Sequence, residues 1–135
     1  MDAERARVFL LSLPDVVETE QWGGLVFWVG DKAVGGKMFA RLALEQEGCV
    51  ASFAAGAEHY NELLEQDGIF PAPYMARIYW VAVERWSVLR DSKWLEEFTA
   101  AYERTRAKMP PKMQRFFALS KVEQKKAIAA ARRKK

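Results

Sequence analysis

Cysteine and histidine are almost missing from this chain: Cys49 and His59 are single examples among 135 residues. A lone cysteine excludes disulfide stapling and suits a reducing cytoplasm. One cysteine and one histidine also exclude a zinc or iron site assembled from several such ligands. Long apolar runs are scarce too, and those present, such as Leu25–Val29, fall far short of the roughly 20 residues that span a bilayer. No basic segment followed by an apolar one opens the sequence, so its start does not read as a signal peptide. Carboxylates nearly vanish after Glu103, where Glu123 stands alone. The expectation is a soluble, cytoplasmic, single-domain protein with no membrane partner and no cofactor.

What is present is a core and a separation of charge. Half the residues are apolar and 13% aromatic, enough for one hydrophobic core in a chain of this length. From Met1 to Glu103 there are 9 Lys/Arg against 17 Asp/Glu; from Arg104 to Lys135 there are 12 against 1. The modest net charge of +3 therefore hides an acidic body and a strongly basic end. Such an end either seeks a polyanion or folds back on its own body.

Periodicity supplies the elements. Ala3, Ala6, Phe9, Leu10 and Leu13 recur at helical spacing behind Asp2, a plausible N-cap, until Pro14. An irregular stretch reaches Trp22-Gly23-Gly24. Leu25–Val29, about Val34–Leu44, and Cys49–Ala54 read as strands, the first two joined by a hairpin at Gly30–Ala33 and the last two by a turn at Glu45–Gly48. Ala57–Gln66 reads as a short helix. Ile69–Met75, with Pro71 and Pro73, can be only a short edge strand. Arg77–Arg85 alternates Tyr79, Val81 and Val83 with Ile78, Trp80 and Ala82, a strand pattern. A long helix from Ser92 as N-cap to Lys108 carries Trp94, Leu95, Phe98, Ala101 and Tyr102 as its apolar stripe. Met109-Pro110-Pro111 marks a boundary, dividing residues 1–108 from a basic extension, 109–135. Ser120-Lys121-Val122-Glu123 then forms a capping box before a tail helix, and Phe116-Phe117 can pin that helix to the body. The order predicts an α+β fold with an antiparallel sheet of about five strands and helices on one face.

Several segments together resemble the MmcQ/YjbR family of small bacterial proteins. They are Glu18 through Trp22-Gly23; Gly35-Gly36-Lys37-Met38-Phe39-Ala40; Gly68-Ile69-Phe70-Pro71-Ala72-Pro73-Tyr74; and Trp80-Val81-Ala82-Val83 before a long helix. The likeness covers about residues 2–107. It implies a two-layer α/β fold with an antiparallel sheet, like that of type III secretion chaperones and also compared with frataxins. It carries a DNA-binding label, does not imply an enzyme, and assigns no particular binding residues. The basic extension is a departure from the family's shorter members.

Candidate chemistry begins with the extension. Arg104, Arg106, Lys108, Lys112, Arg115, Lys121, Lys125, Lys126, Arg132, Arg133, Lys134 and Lys135 could line a nucleic-acid backbone and release counterions. Without a base-reading arrangement such contact tolerates any sequence. The plainer alternative is an extension docked on the acidic body. A second candidate is a sheet face on which Lys37, Phe39 and Arg41 alternate, joined by Arg77 and Tyr79, holding phosphates and stacking bases; against it, Phe39 and Tyr79 can simply be core. Trp22 and Tyr74 read as exposed aromatics that would form a recognition patch if they lie together.

Signals for catalysis are weak. Gly30–Lys37 superficially resembles a phosphate-binding loop, but five residues separate Gly30 from Gly36-Lys37, Met38 stands where Ser or Thr belongs, and a strand follows. Nothing positions a nucleophile beside His59. Cys49 reads as a small core residue. Glu58, Glu62 and Glu65 share a helix side, as in an iron-binding ridge, but such carboxylates usually only solvate a helix. The expectation is a non-enzymatic binder of double-stranded DNA, less so RNA, with low sequence specificity. The alternative is a protein–protein adaptor or chaperone-like module holding a peptide on its sheet face. A homodimer through an uncovered sheet face is a further possibility.

Overall fold

The computed structural model describes residues 1–45 and 47–134. Asp2 caps α1 (Ala3–Ser12), its carboxylate accepting from the Arg5 amide at 2.8 Å. Four strands follow: β1 (Val16–Gln21), β2 (Gly24–Val29), β3 (Lys37–Ala43) and β4 (Ala51–Ala54). After α2 (Ala57–Leu64) come β5 (Ile69–Pro71) and β6 (Trp80–Val83), then α3 (Asp91–Ala107), α4 (Pro111–Phe117) and α5 (Lys121–Arg133). The six strands form one sheet in the order β1-β2-β3-β4-β6-β5, with every neighbouring pair antiparallel. Pro71 sits in the edge strand β5, where its missing amide costs no ladder bond.

The sheet has six strands rather than about five. The additional one, β1, falls where an irregular stretch was expected, because Val16-Val17-Glu18-Thr19-Glu20-Gln21 is an edge strand with little apolar alternation. Its Glu18 pairs with Arg7 of α1. Two further expectations need correction. The Arg77–Arg85 strand begins only at Trp80, since Arg77 lies in a single 3-10 turn (Ala76–Ile78) and Tyr79 takes a left-handed φ of 61°. Ser92 lies inside α3, whose first residue is Asp91, and no side chain caps that helix. At the expected boundary, Pro111 is the first residue of α4, a position where its fixed φ and missing amide suit a helix. The Glu45–Gly48 turn includes Gln46, which lies outside the described residues.

One face of the sheet is buried under α3. Phe27, Phe39, Phe53 and Val81 meet Trp94, Phe98, Ala101 and Tyr102 there. Phe39 stands edge-on to Tyr102 at 5.6 Å and Phe53 edge-on to Phe98 at 6.0 Å, geometry that aromatic quadrupoles favour. The Trp94 indole N–H donates to the Trp86 carbonyl at 2.9 Å, so its burial leaves no polar atom stranded. Met109, Met113 and Phe116 belong to this same core, so the extension shares the body's interior. The opposite face carries a smaller cluster of Ala72, Trp80 and Ala82 with Met38, Cys49, Phe70 and Met75 around it.

Candidate functional site

The extension is docked by its own chemistry. Gly30 and Gly35, at φ of 81° and 113°, end the strand β2 and the 3-10 turn after it, and bare their backbones to α4. A Cβ on Gly30 would lie 3.0 Å from the Met113 methyl and 3.1 Å from the Phe117 ring; one on Gly35 would lie 3.3 Å from the Met113 sulfur. The glycine-rich loop is thus a socket for α4. Gln124, buried on α5, donates toward the carbonyls of Phe116 and Leu119 at 3.3 and 3.4 Å, satisfying the end of α4. The capping box at the start of α5 is complete, with Ser120 and Glu123 bonding each other's amides.

Two aspartates of the body anchor this assembly. The Asp15 carboxylate accepts from Arg106 at 3.0 Å and from Gln124 at 3.3 Å, and lies 3.9 Å from Lys121. Arg106 also donates to the Tyr102 hydroxyl at 3.0 Å and spreads over the Phe117 ring at 4.2 Å. Asp31 accepts from Arg132 at 2.8 Å. Arg104 packs across Gly56 and donates to the Ala54 carbonyl at 2.8 Å.

These contacts divide the cations read as phosphate ligands. Arg104, Arg106 and Arg132 are engaged within the protein, and Lys121 borders on Asp15. Lys108, Lys112, Arg115, Lys125, Lys126, Arg133 and Lys134 are exposed, and among the described residues none has a carboxylate within ion-pairing distance. Lys135 lies outside the described residues. Met113 and Phe116 turn inward, so Lys112 and Arg115 face out; Gln124 and Ile128 turn inward, leaving Lys125, Lys126 and Arg133 outward.

The second candidate face does not assemble as expected. The β2–β3 register shifts between Phe27 and Trp28, which pair with Ala40 and Met38, so β3 bulges at Phe39. Phe39 goes to the helix-covered core and Arg41 to the other face. Arg41 pairs with Glu47 through both nitrogens, at 2.5 and 3.2 Å, and donates to the Trp22 carbonyl. Lys37 is exposed at the start of β3, and Arg77 is exposed in its 3-10 turn. Tyr79 stacks edge-on with Tyr60 at 5.5 Å. These residues form no shared basic–aromatic surface.

What the open face does hold is a cavity of about 450 Å³. Val26, Arg41, Ser52, Ala82 and Phe70 form one cross-strand row beneath it on five strands, and Met38, Trp80, Tyr74 and Met75 also line it. Trp22, Glu47 and Cys49 line it too, so Trp22 and Tyr74 do share one site. Trp22 is 66% exposed and Tyr74 fully so. Both hold left-handed backbones, at φ of 50° and 65°. Trp22-Gly23 closes the β1–β2 hairpin as a two-residue turn with positive φ at both positions, where Asn-Gly is favoured. A tryptophan there costs about 1–2 kcal/mol of backbone strain that its exposed ring does not recover by packing. The sequence signals Trp22 and Tyr74; nothing in the Cys49–Ala54 strand marks Ser52.

The remaining candidates find ordinary roles. His59 bonds Glu62 at 3.3 Å and Glu97 at 2.8 Å, and Lys93 joins Glu97 at 3.3 Å, so the buried Glu97 carboxylate has partners on two sides. Burial pushes the Cys49 thiol above its ordinary pKa, and the Glu47 carboxylate adds to the effect. Among the described residues no group of three or more His, Cys, Asp or Glu is arranged to hold a metal ion. No described helix is long and apolar enough to cross a membrane.

A single antiparallel sheet with one face under helices defines a two-layer α+β protein. Its sequence places it more narrowly: the YjbR family model matches residues 11–104, and the chain belongs to that family. The fold is similar to the crystal structure of Deinococcus radiodurans protein DR2400, of family domain DUF419, with a TM-score of 0.76 and 21% identity over 88% of this chain and 89% of that one. No curated protein matches the sequence.

Proposed function

We propose that this YjbR-family protein is a non-enzymatic binder of nucleic-acid duplexes, double-stranded DNA before RNA, with little sequence preference. The observation that carries the reading is the outward set of cations on α4, α5 and the end of α3. Seven of them have no acidic partner among the described residues, although the body is rich in carboxylates. The two anchored arginines, Arg106 and Arg132, fix the helices that present the rest. Charges held on a docked surface lose less conformational freedom on binding than charges on a loose tail. The outward surface of α4 and α5 bears no exposed Trp, Tyr or Phe, which favours a duplex backbone over stacked single-stranded bases. The acidic body repels the duplex elsewhere and so orients the basic edge. DNA rather than RNA follows the family resemblance.

The test is a fluorescence-anisotropy titration of labelled duplexes of unrelated sequence across a range of salt. Neutralising about 6 phosphates gives log K against log salt a slope of about −5. The duplexes should bind alike. Weak salt dependence, or strong discrimination between the duplexes, would count against the proposal.

A further inference from the structure

We infer that the open-face cavity binds a neutral, mainly apolar molecule of one or two aromatic rings bearing a single hydrogen-bonding group, which the Ser52 hydroxyl receives. Ser52 is 7% exposed, lines the cavity floor, and has no side-chain hydrogen bond among the described residues. That hydroxyl is not a sealed, unsatisfied group: it keeps some accessible surface, and the cavity it lines is the space from which a ligand reaches it. Arg41 stands beside Ser52 in the same cross-strand row, with its guanidinium taken up by Glu47 and the Trp22 carbonyl; the remaining row residues are apolar, and the volume of about 450 Å³ falls within the range of small-molecule sites.

Charge decides the ligand's class. Arg41 and Glu47 both line the cavity and neutralise each other in a two-point pair, with the Trp22 carbonyl also accepting from Arg41. An anionic ligand would have to break that pair, and a cationic one would displace Arg41. The Cys49 thiol stays protonated. A nucleobase presents several polar edge groups, whereas this row offers one that is not already engaged, Ser52. Trp22 and Tyr74 both line the cavity as exposed aromatics, each held on a left-handed backbone. A strained, exposed aromatic at a turn that prefers asparagine is explained by a contact the free protein lacks. This site lies on the sheet face away from α3 and is independent of the duplex-binding surface.

The test uses three probes in calorimetry: 2-naphthol, naphthalene and 2-naphthoate. The neutral alcohol should bind tightest, naphthalene less tightly, and the carboxylate least. Ser52→Ala should lower 2-naphthol affinity about fivefold, the worth of one hydrogen bond, and leave naphthalene unchanged. Trp22→Asn should weaken both neutral probes about tenfold while raising the melting temperature, a combination that loss of a merely structural residue does not produce. Equal or tighter binding of 2-naphthoate would overturn the inference, as would 2-naphthol binding indifferent to both substitutions. Sedimentation showing a dimer that excludes 2-naphthol as protein concentration rises would assign the face to a second copy instead.

Discussion

The Arg106 guanidinium reaches the Asp15 carboxylate at 3.0 Å across 91 residues of sequence, joining the end of the longest helix to the corner before the first strand. The pair is largely shielded, and the guanidinium is also flattened on Phe117. It therefore belongs to the framework that holds the C-terminal helices, and phosphate binding would have to dismantle it. Arg106→Met keeps much of the apolar stem but strands Asp15. It should cost about 1–3 kcal/mol in urea unfolding. Duplex affinity should fall only as far as one charge requires.

Met113 fills the glycine socket of the β2–β3 connection and is almost wholly buried. Met113→Ala should destabilise the protein by about 2–5 kcal/mol, as truncation of a core methionine does. Gly30→Ala should also destabilise, through its positive φ and the 3.0 Å approach to Met113. Hydrogen exchange should show α4 and α5 losing protection first in both variants.

The Glu97 carboxylate is 3% exposed and depends on His59 and Lys93. His59→Ala should destabilise by about 1–3 kcal/mol because it removes the closer of the two partners. Adding Glu97→Gln to His59→Ala should recover part of that loss. A double-mutant cycle showing strict additivity would contradict the coupling.

Cys49 should alkylate slowly with iodoacetamide, with its rate–pH profile displaced upward from that of a free thiol. Burial first, then Glu47, disfavours the thiolate. The folded state holds this proton more tightly than the unfolded one. The thiol's contribution to stability is therefore fully present below the ordinary thiol pKa and lost as pH rises through the folded value. Bound 2-naphthol should slow alkylation further, since Cys49 lines the same cavity.

Residue pattern revealed most elements and hid the joints between them. The Phe98–Tyr102 stripe, the apolar run of β2 and the Ser120 capping box each state their structure locally. The edge strand β1 does not, because Glu18, Thr19 and Glu20 need no apolar alternation. The bulge at Phe39 is set by the register against β2, so strict alternation put Arg41 on the wrong face. The two prolines at 110 and 111 signal a break equally well whether a linker or a helix follows. Segregated charge was plain to read. Which cations are consumed by Asp15, Asp31 and the Ala54 carbonyl depends on packing between distant segments.

The most direct measurement compares duplex binding by the natural chain with a Lys112→Gln, Arg115→Gln, Lys125→Gln, Lys126→Gln variant over a salt series. All four positions are exposed, and among the described residues none makes an ion pair, so the fold and melting temperature should hold. The account predicts that affinity falls at every salt concentration and that the slope of log K on log salt shrinks by about 3–4. Unchanged affinity and slope in a correctly folded variant would contradict it.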